Sequence, residues 1–219
     1  MKKNGIFITF EGPDGAGKTT QALKLKEYFT QKGISCLLTR EPGGTSIGDK
    51  IRDILLDTEN MKMSAKAEVF LYAAARAQLV TQVILPALEE GNVVICDRYV
   101  DSSFAYQAFG LGEDTDFVLK TNEEATGGLY PDLTLLLDVI PEDGLKRQQE
   151  RHTKGAEAQD RIELKDLEFH RRVRQGYLFL AAIQKERVLL IKAGQGEEEV
   201  HKKVMKAVET LLSTRVIQG

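Results

Sequence analysis

The sequence FITFEGPDGAGKTTQALKL spans residues 7–25 and divides into three parts with different local preferences. Its first residues are β-branched and aromatic, which favours a strand, and its last residues repeat apolar positions at helical spacing. Between them, glycine occurs three times within residues 12–17. The stretch therefore predicts a strand, a tight glycine loop and the start of a helix, in that order.

The glycine loop, GPDGAGKT at residues 12–19, matches the pattern G-x-x-x-x-G-K-[ST] in the strand-to-helix setting that this pattern requires. Its glycines let successive backbone N–H groups turn toward phosphate oxygens without a Cβ in the way. We expect Lys18 to reach the β- and γ-phosphates of a nucleotide and Thr19 to place its hydroxyl on Mg²⁺, at a helix N-terminus that favours anions. A glycine turn that merely caps a helix is the alternative. The predicted nucleotide-binding residues are Gly12, Pro13, Asp14, Gly15, Ala16, Gly17, Lys18, Thr19 and Thr20.

Four further apolar, β-rich runs follow along the chain, separated by segments with helical periodicity. Strands that are apolar throughout and alternate with helices indicate a parallel sheet covered on both faces. We therefore predict an α/β fold of the P-loop NTPase type, with a doubly wound, five-stranded parallel sheet and helices on both faces. The predicted strands are residues 5–10, 34–40, 93–97, 133–139 and 187–191. The predicted helices are residues 18–32, 46–57, 64–90 (with a kink at Pro86), 101–109, 114–125, 142–152, 163–185 and 197–214.

Length and composition are typical of one globular domain. The 219 residues are 42% hydrophobic and 29% charged, and nothing in the sequence marks a domain boundary. A formal net charge of -3 provides no general attraction to nucleic acid or to an anionic membrane. We expect no leader segment and no apolar run of spanning length, and hence a cytoplasmic protein. Cys36 and Cys96 lie in strand-like runs without metal-ligand spacing, so we interpret them as reduced core residues.

Two charged loops are predicted to share the edge of the sheet that carries the glycine loop. Ligands of such folds collect at the carboxyl ends of the strands, and TREPGG (39–44) and CDRYVDSS (96–103) each follow a strand end. Each loop brings an acid and an arginine toward the bound phosphates. A GTP-binding switch should also carry an N-K-x-D motif, which this chain lacks. Two alternatives remain for this chain. It could be a kinase for another small acceptor, or its phosphate loop could bind a ligand without catalysing a reaction.

Six motifs, in this order and at these separations, resemble those of the bacterial thymidylate kinases over nearly the whole chain. They are FEGPDGAGKTTQ, TREPGGT, FLYAAARAQ, DRYVDSSFAYQ, PDLTLLLDV and DRIE. The resemblance implies a Mg²⁺-dependent ATP:dTMP phosphotransferase, usually a homodimer, that makes dTDP for dTTP synthesis. Its small-molecule substrates would be ATP and dTMP. A P-loop kinase for another nucleoside monophosphate or small acceptor is the alternative.

The resemblance also implies which residues hold the acceptor. Arg98 and Arg52 would bind its phosphate, since guanidinium groups match phosphate oxygens in pairs; surface salt bridges are the alternative. Tyr72 and Arg76 share a helix face at i and i+4. By this resemblance, Tyr72 would stack on thymine and Arg76 would donate a hydrogen bond to a thymine carbonyl. The alternative is that Tyr72 packs in the core and Arg76 is a solvated charge.

Further positions of the same motifs complete the implied acceptor site. Ser103 and Gln107 match positions that contact the base and the pocket edge, with capping and helix-surface roles as the alternative. Tyr106 would pack under the sugar and leave no room for a 2′-hydroxyl. Asp14 would contact the 3′-hydroxyl of dTMP or the metal shell, or merely form the turn. Glu41 would lie near the metal and the acceptor.

Asp97, which precedes Arg98 at a strand end, fits two roles. It would bind Mg²⁺ through water, as Walker-B acids do, or act as a structural partner of Thr19 or Arg98. The sequence does not separate these two interpretations.

The charged run 145–163 follows the fourth predicted strand, where related nucleotide kinases carry a closing lid. We expect a lid at about 145–161 within a single domain of residues 1–219, followed by a helix that starts near Asp160. One branch of thymidylate kinases has a catalytic arginine in the phosphate loop where this chain has Gly15, so the lid should supply the cation. Arg151 is the first candidate. Its competitors are Arg147, Lys154 and Arg161, and the predicted catalytic residues are Lys18, Arg98, Arg151 and Asp14.

Overall fold

A computed structural model describes residues 4–153 and 159–216 of the chain. Five parallel strands form one sheet in the order β2-β3-β1-β4-β5, which confirms the predicted fold class. The strands are β1 (Ile6–Glu11), β2 (Cys36–Arg40), β3 (Val93–Asp97), β4 (Leu133–Asp138) and β5 (Val188–Lys192). The helices are α1 (Lys18–Gln31), α2 (Ser46–Leu56), α3 (Ala65–Leu79), α4 (Leu85–Glu89), α5 (Val100–Ser103), α6 (Thr115–Thr126), α7 (Pro141–Thr153), α8 (Leu167–Ile183) and α9 (Glu197–Val216).

Side chains along β1 alternate between two cores on opposite faces of the sheet. Ile8 and Phe10 pack with Leu25 of α1 and Val204 of α9, whereas Phe7 packs in the layer that contains α4. Helices therefore cover both faces, which explains why the strands are apolar throughout.

The carboxyl ends of the strands meet at one edge of the sheet. Asp97 at the end of β3 is in register with Arg40 of β2 and with Phe10 of β1. Asp138 at the end of β4 is likewise in register with Lys192 of β5. The two charged loops and the phosphate loop, residues 12–19, consequently leave the sheet side by side, as predicted.

Both cysteines are free thiols in apolar surroundings, as expected from the sequence. Cys96 is buried among core side chains on the α4 side of the sheet, and Cys36 is half-buried on the opposite side. Burial raises the pKa of the Cys36 thiol to about 11. Both side chains therefore act as small apolar residues.

Two of the predicted helices contain π-helical segments. Val80–Ile84 joins α3 to α4 and ends just before Pro86, where the sequence predicts a kink. The wider turn accommodates a residue that lacks a backbone N–H. Phe104–Gly110 follows α5 and carries Tyr106 and Gln107. Single π turns of this kind are frequent at functional sites, and helical periodicity alone does not reveal them.

Helix α8 begins at Leu167 and not at residue 163. The side chain of Asp160 accepts hydrogen bonds from the backbone N–H groups of Ile162 and Glu163, at 2.8 and 2.9 Å. This closes a separate turn, and Asp166 then caps the helix itself. The prediction of a helix start near Asp160 is therefore wrong.

One helical run, Ala65–Glu89, is long and apolar enough to cross a membrane by length and composition alone. This corrects the expectation that no such run occurs. The run packs Leu79, Val80 and Ile84 against the sheet, and it carries the buried charge of Arg76 near its middle. Packing against the sheet accounts for its apolar character.

The phosphate loop touches the first turn of α7 backbone to backbone. A Cβ added to Gly144 of α7 would lie 2.3 Å from the carbonyl oxygen of Asp14, and one added to Gly15 would lie 2.3 Å from the carbonyl oxygen of Gly144. Gly15 also has a left-handed φ of +73°. Two glycines are therefore required for this close approach.

We predict that Gly144→Ala lowers the free energy of unfolding by about 1–3 kcal/mol, because the new methyl group would displace either the phosphate loop or α7. Chemical denaturation measures the change. Gly194→Ala is the matched control, since nothing lies within 4 Å of a Cβ at Gly194. Equal stability of the two variants would contradict the close contact.

Candidate active site

A cleft of about 1300 Å³ opens at the carboxyl edge of the sheet. Its walls come from the phosphate loop, the loops after β2 and β3, helices α3 and α7, and the π segment after α5. The structure thus brings together nearly every residue that the sequence analysis assigns to the site. The predicted residues that line the cleft are Asp14, Gly15, Ala16, Gly17, Lys18, Thr19, Thr20, Glu41, Arg52, Tyr72, Arg76, Asp97, Arg98, Ser103, Tyr106, Gln107 and Arg151.

Lys18 lies folded over the phosphate loop. Its Nζ donates to the carbonyl oxygens of Gly12 at 3.0 Å and Pro13 at 2.9 Å. Burial, and then the nearby charge of Arg98, lower the pKa of Lys18 to about 8. Loop carbonyls therefore fix the ammonium group where phosphate oxygens would be bound.

Arg98 occupies the floor of the cleft in a strained backbone conformation. Its φ of 73° is the only positive φ outside glycine among the residues that the structure describes. The guanidinium donates to the carbonyl of Gly12 at 3.1 Å and to the hydroxyls of Tyr106 and Tyr177, each at 3.0 Å. It also forms an ion pair with Asp14. These contacts hold the side chain in a single position despite the strain.

Asp14 and Tyr106 complete the floor of the cleft. The Tyr106 hydroxyl donates to Asp14 Oδ2 at 2.7 Å. Burial alone would raise the pKa of Asp14, but the charges of Arg98 and Lys18 and the Tyr106 hydrogen bond lower it to about 2. Asp14 is therefore a permanent carboxylate in the neutral range and more than a turn residue.

Glu11, to which the sequence analysis assigns no role, lies fully buried under this floor. Its Oε1 accepts from the backbone N–H of Tyr99 at 2.7 Å, and its Oε2 accepts from the hydroxyls of Ser102 at 2.6 Å and Tyr177 at 3.0 Å. Burial, and then the charge of Asp101, raise the pKa of Glu11 to about 7. An acid at the end of an otherwise apolar strand is the sequence signal that could have identified it.

Arg76 is enclosed by protein groups on the cleft wall. Its Nε donates to Glu41 Oε2 at 2.8 Å, and its Nη atoms donate to Ser103 Oγ at 3.0 Å, to the carbonyl of Tyr99 at 3.2 Å and to the side chain of Asn122. The alternative that Arg76 is a solvated charge is therefore wrong. Glu41 Oε1 is buried and has no hydrogen-bond partner within the described part of the chain.

Two oxygen-bearing side chains meet beside the phosphate loop. Thr19 Oγ1 donates to Asp97 Oδ2 at 2.5 Å, so Asp97 is a structural partner of Thr19 in this state. Residues 4–153 and 159–216 contain no group of three or more His, Cys, Asp or Glu side chains that could hold a metal ion. A cation here would depend on nucleotide phosphates for most of its ligands.

The lid candidates lie in different environments. Arg147 Nη1 donates to the carbonyls of Gly15 at 3.2 Å and Ala193 at 3.3 Å, which anchors it to the phosphate loop. Arg151, one turn further along α7, is exposed and lines the cleft. Lys154 lies outside the described residues.

Arg161 is a buried structural cation. It is 1% exposed, pairs with Glu68 Oε2 at 2.6 Å and donates to the carbonyl of Leu55 at 2.8 Å. The interpretation of Arg161 as a candidate for the moving cation is therefore wrong. Its partner Glu68, which the sequence analysis does not single out, also accepts from Gln107 Nε2 at 2.9 Å. Glu68 lies four residues before Tyr72 and therefore shares its helix face. This spacing is the sequence signal that could have identified Glu68.

Comparison with known proteins agrees with this geometry. Residues 10–204 match the family model described as thymidylate kinase. The chain belongs to the thymidylate kinase family. It is 49% identical over 208 residues to the thymidylate kinase of Caldanaerobacter subterraneus subsp. tengcongensis, which covers 95% of this chain and 97% of the relative. It is 50% identical to that of Pelotomaculum thermopropionicum, with 95% of this chain and 94% of the relative covered.

A solved structure of the family has the same fold. The crystal structure of thymidylate kinase from Ehrlichia chaffeensis superposes with a TM-score of 0.76 at 32% sequence identity, and covers 94% of this chain and 98% of that one. The fold is therefore that of a family member over nearly the whole chain.

We predict that Glu11→Gln flattens the pH dependence of stability between about pH 4.5 and pH 7. The native state holds a proton on Glu11 that the unfolded state loses above pH 4.5, because burial raises the pKa to about 7. Stability of the parent should therefore fall as pH rises through this window, by about 1–3 kcal/mol from this group. Urea denaturation of parent and variant at several pH values measures the difference, and parallel pH profiles would contradict the prediction.

Proposed function

We propose that the protein transfers the γ-phosphoryl group of ATP to dTMP and releases dTDP and ADP. The observation that carries the proposal is the meeting, in one cleft, of a phosphate loop with Lys18 and the guanidinium of Arg98. Phosphoryl transfer requires two phosphates to be held in line while their charge is neutralised. The resemblance over six motifs and the family relationship favour dTMP over another nucleoside monophosphate as the acceptor.

We assign the acceptor phosphate to Arg98 and Arg52. Both line the cleft, and Arg52 Nη1 is held by the carbonyl of Pro42 at 3.1 Å. In this proposal Asp14 keeps the Arg98 guanidinium in place, since a charged pair with a planar fork is strongly directional. Asp14 would also lie close to the sugar of the bound nucleotide, where Tyr106 leaves no room for a 2′-hydroxyl.

The base would lie against α3 and the π segment Phe104–Gly110. Tyr72 is half-buried on the cleft wall, which suits a ring that stacks on a pyrimidine. Gln107 would contact the polar edge of the base. A contact from Arg76 to a thymine carbonyl would require one of its present hydrogen bonds to be released. Ser103 Oγ accepts from Arg76, and its own O–H can still donate to the base. Glu41, whose Oε1 has no partner among the described residues, offers a further acceptor at this wall.

Mg²⁺ fits beside the phosphate loop in this proposal. The donors there are the hydroxyl of Thr19 and the carboxylate of Asp97, and hard oxygen donors of this kind suit Mg²⁺. The ion would neutralise charge on the transferring phosphates. Thr19 and Asp97 are held together by their hydrogen bond, and both line the cleft beside Lys18.

We further propose a single domain with a lid at about 145–161. Arg151 remains our first candidate for the cation that meets the transferring phosphoryl group, because Arg147 is anchored to backbone carbonyls and Arg161 is buried. The described part of this segment begins on α7, which rests on the phosphate loop through Gly144. In this proposal the segment at about 145–161, which carries Arg151, would close over the nucleotides and exclude water.

A cytoplasmic homodimer completes the proposal. Phe70 on α3 is 56% exposed and Leu119 on α6 is 41% exposed, and Phe70 contacts the ring of Phe117 edge to face. Exposed apolar patches of this kind are typical of protein–protein contacts. The family resemblance implies a second copy of this chain as the partner.

The proposed reaction predicts a defined substrate pattern in a coupled assay of ADP release. With ATP and Mg²⁺, dTMP should be the best acceptor, dUMP poorer and ribonucleotides much poorer.

Lys18→Ala should lower turnover by about 10²-fold or more, because a preorganised charge is lost where negative charge develops. A near-normal rate in Lys18→Ala, or equal rates with all monophosphates, would refute the proposal.

We predict that Arg151→Ala lowers kcat far more than it weakens ATP binding, by a factor of about 10³, because a cation that arrives on closure acts mainly in the transition state. Steady-state kinetics and direct binding of ATP separate the two effects. Lys146→Ala is the matched control, since Lys146 is an exposed cation on the same helix. A parallel loss of ATP affinity and kcat/KM at unchanged kcat would make Arg151 an ordinary binding residue.

A further inference from the structure

Glu68 and Gln107 are hydrogen-bonded to each other behind the wall of the cleft. Gln107 Nε2 donates to Glu68 Oε1 at 2.9 Å, and both side chains are 1% exposed. Glu68 lies on α3, and Gln107 lies on the π segment Phe104–Gly110. The bond therefore joins the two elements that would face the base of the acceptor.

The chemistry of Glu68 determines which end of the Gln107 amide it contacts. A carboxylate only accepts hydrogen bonds, and a guanidinium only donates them. The second oxygen of Glu68 accepts from Arg161 Nη2 at 2.6 Å, and Arg161 is also held by the carbonyl of Leu55. The Gln107 amide must then turn its NH₂ group toward Glu68, which places its carbonyl oxygen on the other edge of the amide plane.

Glu68 also shares its helix face with two cleft residues. Tyr72 and Arg76 follow it at intervals of four on α3, and both line the cleft. Burial, and then the charge of Glu68, raise the pKa of the Tyr72 hydroxyl well above its usual value. The Tyr72 hydroxyl is therefore neutral, and Tyr72 lines the same cleft as Gln107.

We propose that Glu68, held by Arg161, is a positioning residue that selects the pyrimidine by fixing the Gln107 carbonyl oxygen toward the cleft. An acceptor there matches thymine and uracil, which carry a hydrogen on N3. It opposes cytosine, whose N3 is itself an acceptor, so the two lone pairs would face each other. This inference rests on the proposed function and names a specificity determinant within the same site.

Glu68→Gln tests the inference with an isosteric change. Arg161 still requires an acceptor, so the new amide should turn its oxygen to Arg161 and its NH₂ group to Gln107. Gln107 must then accept, and its own NH₂ group turns to the cleft. We expect kcat/KM for dTMP to fall about 10–100-fold, mainly through KM, and kcat/KM for dCMP to rise, so that the dTMP:dCMP ratio falls by more than about 10-fold.

Asp101→Asn is the matched control for the loss of a buried charge pair. Asp101 is buried and pairs with Arg187 at 2.7 Å, and neither residue lines the cleft. This variant should lower the melting temperature and leave the dTMP:dCMP ratio unchanged. A similar change of ratio in both variants would show that general loosening causes it, and would overturn the inference.

A second variant covers the case in which Glu68→Gln does not fold. Glu68→Gln combined with Arg161→Met removes the buried cation that would otherwise lack a carboxylate partner, and nothing then fixes the orientation of the new amide. Its dTMP:dCMP ratio should lie between those of the parent and Glu68→Gln.

If either the single or the double variant folds and keeps the dTMP:dCMP ratio of the parent, the proposed role of Glu68 is overturned. A parent that phosphorylates neither nucleotide refutes the proposed function itself, and this inference with it.

Discussion

A carboxylate buried at the carboxyl end of the central strand holds together the segments that build the cleft. Glu11 binds the backbone of the loop after β3 through Tyr99, the hydroxyl of Ser102, and the hydroxyl of Tyr177 on α8. Ser102 and Tyr177 in turn contact the guanidinium of Arg98. The position of the strained Arg98 therefore depends on an acid that does not reach the cleft itself.

The acid and its surroundings form a polar layer between two apolar cores. Burial of a carboxyl group is unfavourable unless its oxygens are hydrogen-bonded, and here both oxygens of Glu11 are hydrogen-bonded to groups that belong to different elements. Such a layer orders the site at a cost in stability. A second buried charge is also matched by protein groups: Arg76 of α3 forms an ion pair with Glu41 of the loop after β2.

The elements and the phosphate loop could be predicted from the sequence because their signals are local. Strand β3 and the loop at residues 12–19, for example, each follow from the pattern of a few consecutive residues. The pair between Glu68 and Arg161 could not be predicted, since the two residues are distant in sequence and only the fold brings them together. The start of α8 was missed for a related reason, because the turn at Asp160 depends on side-chain caps that compete with helix formation.

The contact between Gly15 and Gly144 restricts how this chain could change during evolution. An arginine in the phosphate loop at position 15 would need a Cβ where the backbone of Gly144 lies, 2.3 Å away. One substitution could not therefore place an arginine at this position, because α7 would first have to withdraw from the loop. An arginine in the phosphate loop and the close packing of α7 on that loop therefore exclude each other, and a lineage could gain the arginine only together with a change of backbone.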